Sequence, residues 1–321
     1  MGRLKYSVII PVYKNEESIP RLLNALDQLN TQLDDCMEAV FVVDGSPDSS
    51  FSMLEQRLPK LAFSAQLVGH SRNFGSFAAI RSGLSVAKGE FCAVMAADLQ
   101  EPPELLLSFF TSLAADECDV AIGTRAARAD PLISRIPSHI FWLVYRKLVV
   151  PDMPPGGVDI FGCNRTFRDQ LLRLEESRSS LVALIFWLGF RRKLFEYKRL
   201  EREEGVSGWT FKKKVDYMLD SIFAFTDYPV RLLVKLGLMG CIFSVVLALM
   251  VLTGHLLGKI TVPGYATTII VVLFFGALNI LGVGIVGTYA WRAYENTKKR
   301  PLAIIARHLD SPRVFIDRVA P

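Results

Sequence analysis

The chain is poor in the residues that announce several common chemistries. Among 321 residues there are only five cysteines, Cys36, Cys92, Cys118, Cys163 and Cys241. They are scattered, and no two have metal-ligand spacing, so neither a zinc site nor a disulfide framework is indicated; reduced thiols in a cytoplasmic compartment are the simplest reading. Histidine is scarcer, with four residues: His70 stands at the end of a strand pattern, and His139, His255 and His308 have no evident partners. No finger, helix-turn-helix or RNP pattern accompanies the basic residues, so nucleic acid is excluded as an expected partner. Met1–Lys5 leads straight into a strand pattern, without the regions of a signal peptide. Long apolar runs are absent from the first two thirds, where Ile133–Val150 and Leu181–Phe190 are apolar but too short to span a bilayer.

The last third is different. Leu236–Leu257 and Ala266–Ala290 are each long enough to cross a membrane, which takes about 20 apolar residues. They account for much of the 51% hydrophobic content and of the mean hydropathy of +0.30. The loop between them, Gly258–Gly264, carries only Lys259, whereas Arg231, Lys235 and the basic stretch Arg292–Arg300 flank the other side. The positive-inside rule therefore places both termini in the cytoplasm. Clusters at Arg191–Lys193, Lys212–Lys214 and Lys298–Arg300, within a net charge of +5, suit anionic head groups. The segments near 133–150 and 181–190 read as interfacial helices or as ordinary core helices.

Before the apolar runs, strand and helix patterns alternate. Strands are expected at Tyr6–Val12, Ala39–Val43, Leu67–His70, Phe91–Ala97 and Val120–Gly123, with a further one at Lys193–Arg199. Helical patterns fall between them, and another, Lys212–Phe225, leads to the membrane. This order predicts a mostly parallel sheet covered on both faces, with ligands bound beyond the carboxyl ends of the strands, where Asp44, Asp98 and Arg125 stand. The expected organisation is a head over 1–229, a two-helix membrane domain over 230–292, and a cytoplasmic tail over 293–321.

The stretch Met95–Glu104 carries the clearest chemistry. An apolar strand opens into Asp98, Gln100 and Glu101, and Pro102 and Pro103 stop it. Hard oxygen ligands on a strand-end turn suit Mg²⁺ or Mn²⁺ held together with substrate phosphates, although a lone strand-end aspartate is often only a cap. Gly282, Gly284 and Gly287 match a dinucleotide fingerprint, but no strand precedes them and they lie inside an apolar run, where small residues permit close helix packing.

Several segments together resemble the family 2 glycosyltransferases of GT-A fold, and more narrowly the polyprenyl-phosphate glycosyltransferases. They are Ile10–Tyr13, Val43–Asp48, Ser71–Gly75, Ala97–Pro103, Gly123–Arg125 and Gly157–Asp159, followed by the two apolar runs. The resemblance implies an α/β, Rossmann-like GT-A head with interfacial helices and two C-terminal transmembrane helices. It implies a multi-pass protein of the inner membrane that moves one sugar from a nucleotide sugar to a polyprenyl phosphate, such as undecaprenyl phosphate, with inversion, for surface glycan or lipopolysaccharide modification. Pro11, Tyr13, Asp44 and Ser46 would bind the donor, and Asp98 and Gln100 would hold the divalent cation. Arg125 and Arg202 would meet phosphates, Ser207 and Trp209 would stand in a turn near the acceptor, and Asp159 would be an acidic residue of the active site. An acceptor phosphate is already ionised near neutral pH, so a strong general base is not required, and Asp159 is better suited to orienting a hydroxyl or an arginine. Two spans per chain also admit packing into a homo-oligomer.

The chain departs from the family pattern in places. Val43 and Ala96 stand where the family usually has acids, and Lys14-Asn15 replaces Asn-Glu. Losing a metal-ligand carboxylate should weaken cation binding. Asp98 and Gln100 suffice, with Glu101 helping; or the pocket is rebuilt for an unusual donor; or turnover is impaired. The alternatives to polyprenyl transfer are a glycosyltransferase with another lipid acceptor and a catalytically impaired membrane adaptor that keeps the fold.

Overall fold

The computed structural model describes residues 4–125, 145–146, 149–154, 157–158, 160–176, 179–200, 211–257 and 264–311. Asp159, Arg202, Ser207, Trp209, His139 and most of the 133–150 segment lie outside them.

The strands are β1 (Tyr6–Val12), β2 (Met37–Val43), β3 (Ser64–His70), β4 (Phe91–Val94), β5 (Val120–Arg125), β6 (Ile160–Asn164), β7 (Arg192–Tyr197) and β8 (Ile305–Asp310). They form one sheet in the order β7-β5-β6-β4-β1-β2-β3-β8. β1 runs parallel to β2 and β4, β2 to β3, and β5 to β7. The helices of the head are α1 (Ile19–Gln32), α2 (Ser50–Arg57), α3 (Ser76–Val86), α4 (Pro103–Ala114), α5 (Arg165–Arg173) and α6 (Leu181–Trp187). Three more follow: α7 (Phe211–Phe225), α8 (Tyr228–Leu256) and α9 (Tyr265–Thr297).

The alternation of side chains along β1 builds the layers. Val8, Ile10 and Val12 point into one core with Leu22 and Leu26 of α1 and Leu106 and Phe109 of α4. Ile9 points the other way, into a core with Ile80 and Leu84 of α3 and Phe167 and Leu171 of α5. Helix α1 buries Ile19, Leu22, Leu23, Leu26 and Leu29, one 3.6-period stripe, and starts with Pro20 in its first turn, where a missing N–H costs nothing. Gly83 lets α3 sit close to the sheet: a Cβ there would lie 2.4 Å from Ile9 Cγ2.

The sheet is mostly parallel, as expected, and two reversed strands make it mixed. β6 is antiparallel to both β4 and β5, and β8 is antiparallel to β3. The chain leaves β5 at Arg125 and re-enters the sheet at Ile160 on the same edge, so β6 can only run backwards. β8 lies within the stretch read as a tail. β4 stops at Val94 rather than reaching Ala97, and β7 stops at Tyr197 rather than Arg199.

Helix α7 is tied to the head by Tyr217, whose ring stacks on Tyr145, and to α9 by the Arg292–Asp220 ion pair at 2.5 Å. Helices α8 and α9 are 29 and 33 residues long. Among the described residues one segment, Phe274–Thr297, is long and apolar enough to cross a membrane. The glycines of the apparent dinucleotide fingerprint lie in α9, and a Cβ on Gly282 would meet Leu233 of α8 at 3.3 Å, so a small residue there serves helix approach.

Candidate active site

The parallel strands β1 to β5 bring their carboxyl ends to one edge of the sheet, and the predicted residues within the described part collect on the loops there. Tyr13 follows β1 and is 43% exposed, with Lys14 Nζ 5.7 Å from its ring centroid. Pro11 is half-buried on β1 opposite Val42. Arg125 ends β5, opposite Tyr197 of β7. Asp98 and Gln100 follow β4.

The loops after β1 and β2 are bound into one unit. Ser46 Oγ accepts from the Lys14 N–H at 2.8 Å and donates to Asp48 Oδ1 at 2.6 Å. Asp48 Oδ2 accepts from the Ser50 hydroxyl at 2.8 Å and from the Glu16 N–H at 3.2 Å, and Glu16 Oε2 in turn accepts from the Ser49 N–H at 2.8 Å. Burial pushes the Asp48 carboxyl up, but these hydroxyl and amide donors outweigh it and hold it below the usual range. Ser46, expected at the donor, thus also ties the two loops together.

Asp44 faces inward. It is 2% exposed, and its Oδ1 accepts from His70 Nδ1 and the Phe74 N–H, both at 2.8 Å. Its Oδ2 accepts from the Gly75 N–H at 2.7 Å. Burial raises the Asp44 carboxyl, yet His70 and the two amides prevail and the net shift is downward. Because an ionised carboxylate only accepts, the proton of His70 facing it sits on Nδ1. His70 Nε2 meets Ser82 Oγ at 2.9 Å. The Asp-His-Ser chain looks like a nucleophilic triad, but all three side chains are buried and it serves to fix the loop after β3. Gly45 completes the contact with that loop: at φ +58° a Cβ would lie 2.2 Å from the Arg72 carbonyl carbon. The sequence singles out Asp44 and His70 separately; only the register of β2 against β3 joins them.

The turn after β4 is strained where it carries chemistry. Leu99 has φ +54°, rare for a residue with a branched side chain, and separates Asp98 from Gln100. The Gln100 N–H reaches Asp98 Oδ1 at 3.4 Å. Gln100 is buried beneath the strap that follows β7. The Leu200 N–H donates to the Gln100 carbonyl at 2.9 Å, Gln100 Nε2 donates to the Leu200 carbonyl at 3.4 Å, and Arg199 Nη2 donates to Gln100 Oε1. Arg199 was read as the end of a strand, so nothing in the periodicity marked it as a site residue. Glu101 is 2% exposed.

Asp98 and Gln100 supply one carboxylate and one amide oxygen on a single turn, a hard donor pair that fits a divalent cation completed by substrate oxygens. Among the described residues no group of three or more His, Cys, Asp or Glu is placed to hold a metal ion.

Residues 7–174 match the model of Glycosyl transferase family 2. CsbB of Bacillus subtilis (strain 168), named as a glycosyltransferase, is 31% identical and covers 93% of this chain and 90% of its own. The prophage bactoprenol glucosyl transferase homolog of Escherichia coli (strain K12) is 28% identical, covering 95% of this chain and 99% of its own. Among solved structures, the mannosyltransferase PcManGT from Pyrobaculum calidifontis, in complex with GDP-Man and Mn²⁺, is 17% identical and covers 91% of this chain and 85% of its own at a TM-score of 0.44. With a mixed α/β sheet, a family match over more than half its length and a relative above 30% identity along nearly all of it, the chain belongs to glycosyl transferase family 2 and is a glycosyltransferase.

Proposed function

We propose that the chain transfers a single sugar from a nucleotide sugar to a polyprenyl phosphate at the cytoplasmic face of a membrane. The observation that carries this reading is a joint one. The loop-bearing edge of the sheet gathers Tyr13, Asp98, Gln100 and Arg125, and the same chain continues into two long helices whose apolar side chains are exposed. Along α8, Leu238, Met239, Ile242 and Phe243 are each more than half exposed, as are Ile280, Val283 and Val286 along α9. A surface of that kind is costly in water and favourable in lipid. We read both helices as membrane spans, with both termini cytoplasmic and the basic residues near α7 and after α9 at the head-group level. The relatives named bactoprenol glucosyl transferases support a polyprenyl acceptor.

In this reading the Tyr13 ring stacks on the nucleotide base, Pro11 and Ser46 line the donor pocket, and Asp44 shapes it from behind by fixing the loop after β3. Asp98 and Gln100 would hold a divalent cation, which when bound lends positive charge to the leaving diphosphate. Arg125 and Arg202 neutralise phosphate oxygens, and Asp159 orients a sugar hydroxyl or an arginine. The acceptor phosphate brings its own negative charge as nucleophile, so direct displacement needs no strong base and inverts the anomeric centre. The expected products are lipid-linked sugars for surface glycan decoration.

The test is to incubate membranes containing the chain with undecaprenyl phosphate and a panel of radiolabelled nucleotide sugars, then extract the lipid. Label in the lipid fraction with one donor is expected. An unlabelled lipid fraction across the whole panel, with the protein folded, refutes the reading.

A further inference from the structure

The amide oxygen expected to bind a cation already has a cationic partner. Arg199 Nη2 donates to Gln100 Oε1, and its guanidinium is a positively charged donor with no acceptor capacity. The backbone bond from the Leu200 N–H to the Gln100 carbonyl, at 2.9 Å, holds the strap in place whether or not the side-chain bonds exist. The Arg199 Nε is buried and has no hydrogen-bond partner among the described residues, a donor left over beside the turn that carries Asp98. A buried N–H without an acceptor is costly, and its natural partner beside a diphosphate site is a phosphate oxygen.

We propose that Arg199 and a divalent cation compete for Gln100 Oε1, with Arg199 acting as the resident positive charge of this turn. When no cation is bound, the guanidinium sits on Gln100 and offers its Nε–H to the donor's diphosphate. When a cation takes Gln100 Oε1, the guanidinium swings off while the strap keeps its backbone bond from Leu200 to Gln100. The diphosphate part of this inference rests on the nucleotide-sugar reading above; the competition does not. Arg199 is a positioning and charge-balancing residue, distinct from the expected metal ligands.

The magnitude follows from Coulomb repulsion. A single and a double positive charge about 5 Å apart, even at a water-like dielectric, oppose each other by roughly tenfold in binding constant. The experiment is Mn²⁺ titration of the purified full-length chain in detergent without nucleotide, followed by the electron paramagnetic resonance signal of free Mn²⁺. Wild type is compared with Arg199→Gln and, as a variant that keeps the charge but loses the planar fork, Arg199→Lys. Arg199→Gln should bind Mn²⁺ roughly tenfold more tightly, with Arg199→Lys between it and wild type. Without Mn²⁺, Arg199→Gln should also bind nucleoside diphosphate severalfold more weakly. Mn²⁺ affinity unchanged or lowered in Arg199→Gln, or no Mn²⁺ binding in any variant, overturns the competition. Tighter Mn²⁺ binding together with an unlabelled lipid fraction in the donor screen keeps the competition and removes the polyprenyl reading instead.

Discussion

Removing the Asp44 carboxylate should cost the head several bonds at once. The carboxylate accepts from His70 Nδ1, the Phe74 N–H and the Gly75 N–H, in a site where the aspartate is 2% exposed. In Asp44→Ala all three donors lose their partner. Phe74 and Gly75 are half-buried, so water recovers part of each bond, and about 1 kcal/mol apiece is a fair charge. His70 is buried, and a charge-assisted bond there contributes about 1.5–3 kcal/mol. The sum is about 4 kcal/mol, and for a head of this size each kcal/mol lowers the midpoint by about 2–4 °C. A fall of roughly 8–16 °C is therefore expected, and about half of that for Asp44→Asn, which keeps one acceptor oxygen. Thermal unfolding of the detergent-solubilised chain, followed by tryptophan fluorescence, measures it. A midpoint within about 2 °C of wild type in Asp44→Ala would show that the loop after β3 does not depend on this carboxylate. The same bonds set a pH dependence. Because the folded carboxyl lies below its ordinary value of 3.8, its stabilisation is complete above that value. It drains away as pH falls through the lower folded value. Asp44→Asn should lose that part of the acid limb while leaving the neutral plateau flat.

Three further outcomes are expected. Asp98→Ala should abolish sugar transfer to undecaprenyl phosphate, by at least about 100-fold, with the unfolding midpoint unchanged within error; undiminished turnover would remove Asp98 from the metal assignment. Gly45→Ala should destabilise the head by about 1–3 kcal/mol, because the backbone is left-handed and the new methyl meets the Arg72 backbone; a denaturation midpoint equal to wild type would contradict the contact. Cys92 and Cys163 face each other across β4 and β6, and burial pushes the Cys92 thiol up to about 11 and Cys163 upward as well. Alkylation at pH 8 read peptide by peptide should therefore mark half-exposed Cys36 well before either, and rapid labelling of Cys92 in folded protein would contradict its burial.

How much of this was legible in the sequence depended on how local each signal was. β1 and β2 are apolar, β-branched runs closed by turn residues, and their pattern suffices to place Tyr13 and Asp44 at the same edge of the sheet. β6 was not visible: it is five residues long and contains Gly162, and its direction follows from where the chain re-enters the sheet. β8 was hidden for a different reason. Ile305–Asp310 is mostly exposed and polar, and it becomes a strand by pairing with β3 rather than by burying a face of its own. The inward turn of Asp44 depends on His70, 26 residues away, and the place of Arg199 on Gln100 joins residues 99 apart. Periodicity carries no information at that range. The turn that carries Asp98 and Gln100 was legible because strand end, turn and proline stop are neighbours in the chain.

The pairing of β8 with β3 fastens the head at a second point. The chain leaves the head through α7 into α8, and after α9 it comes back to add a six-residue strand to the far edge of the sheet, with the Ser71 N–H bonded to the Ile304 carbonyl at 3.0 Å. A body hung from one hinge can pivot and bob; a body pinned on two sides keeps its altitude and its bearing. The loop-bearing rim of the sheet is thereby held in one orientation to the two long helices from both of its ends.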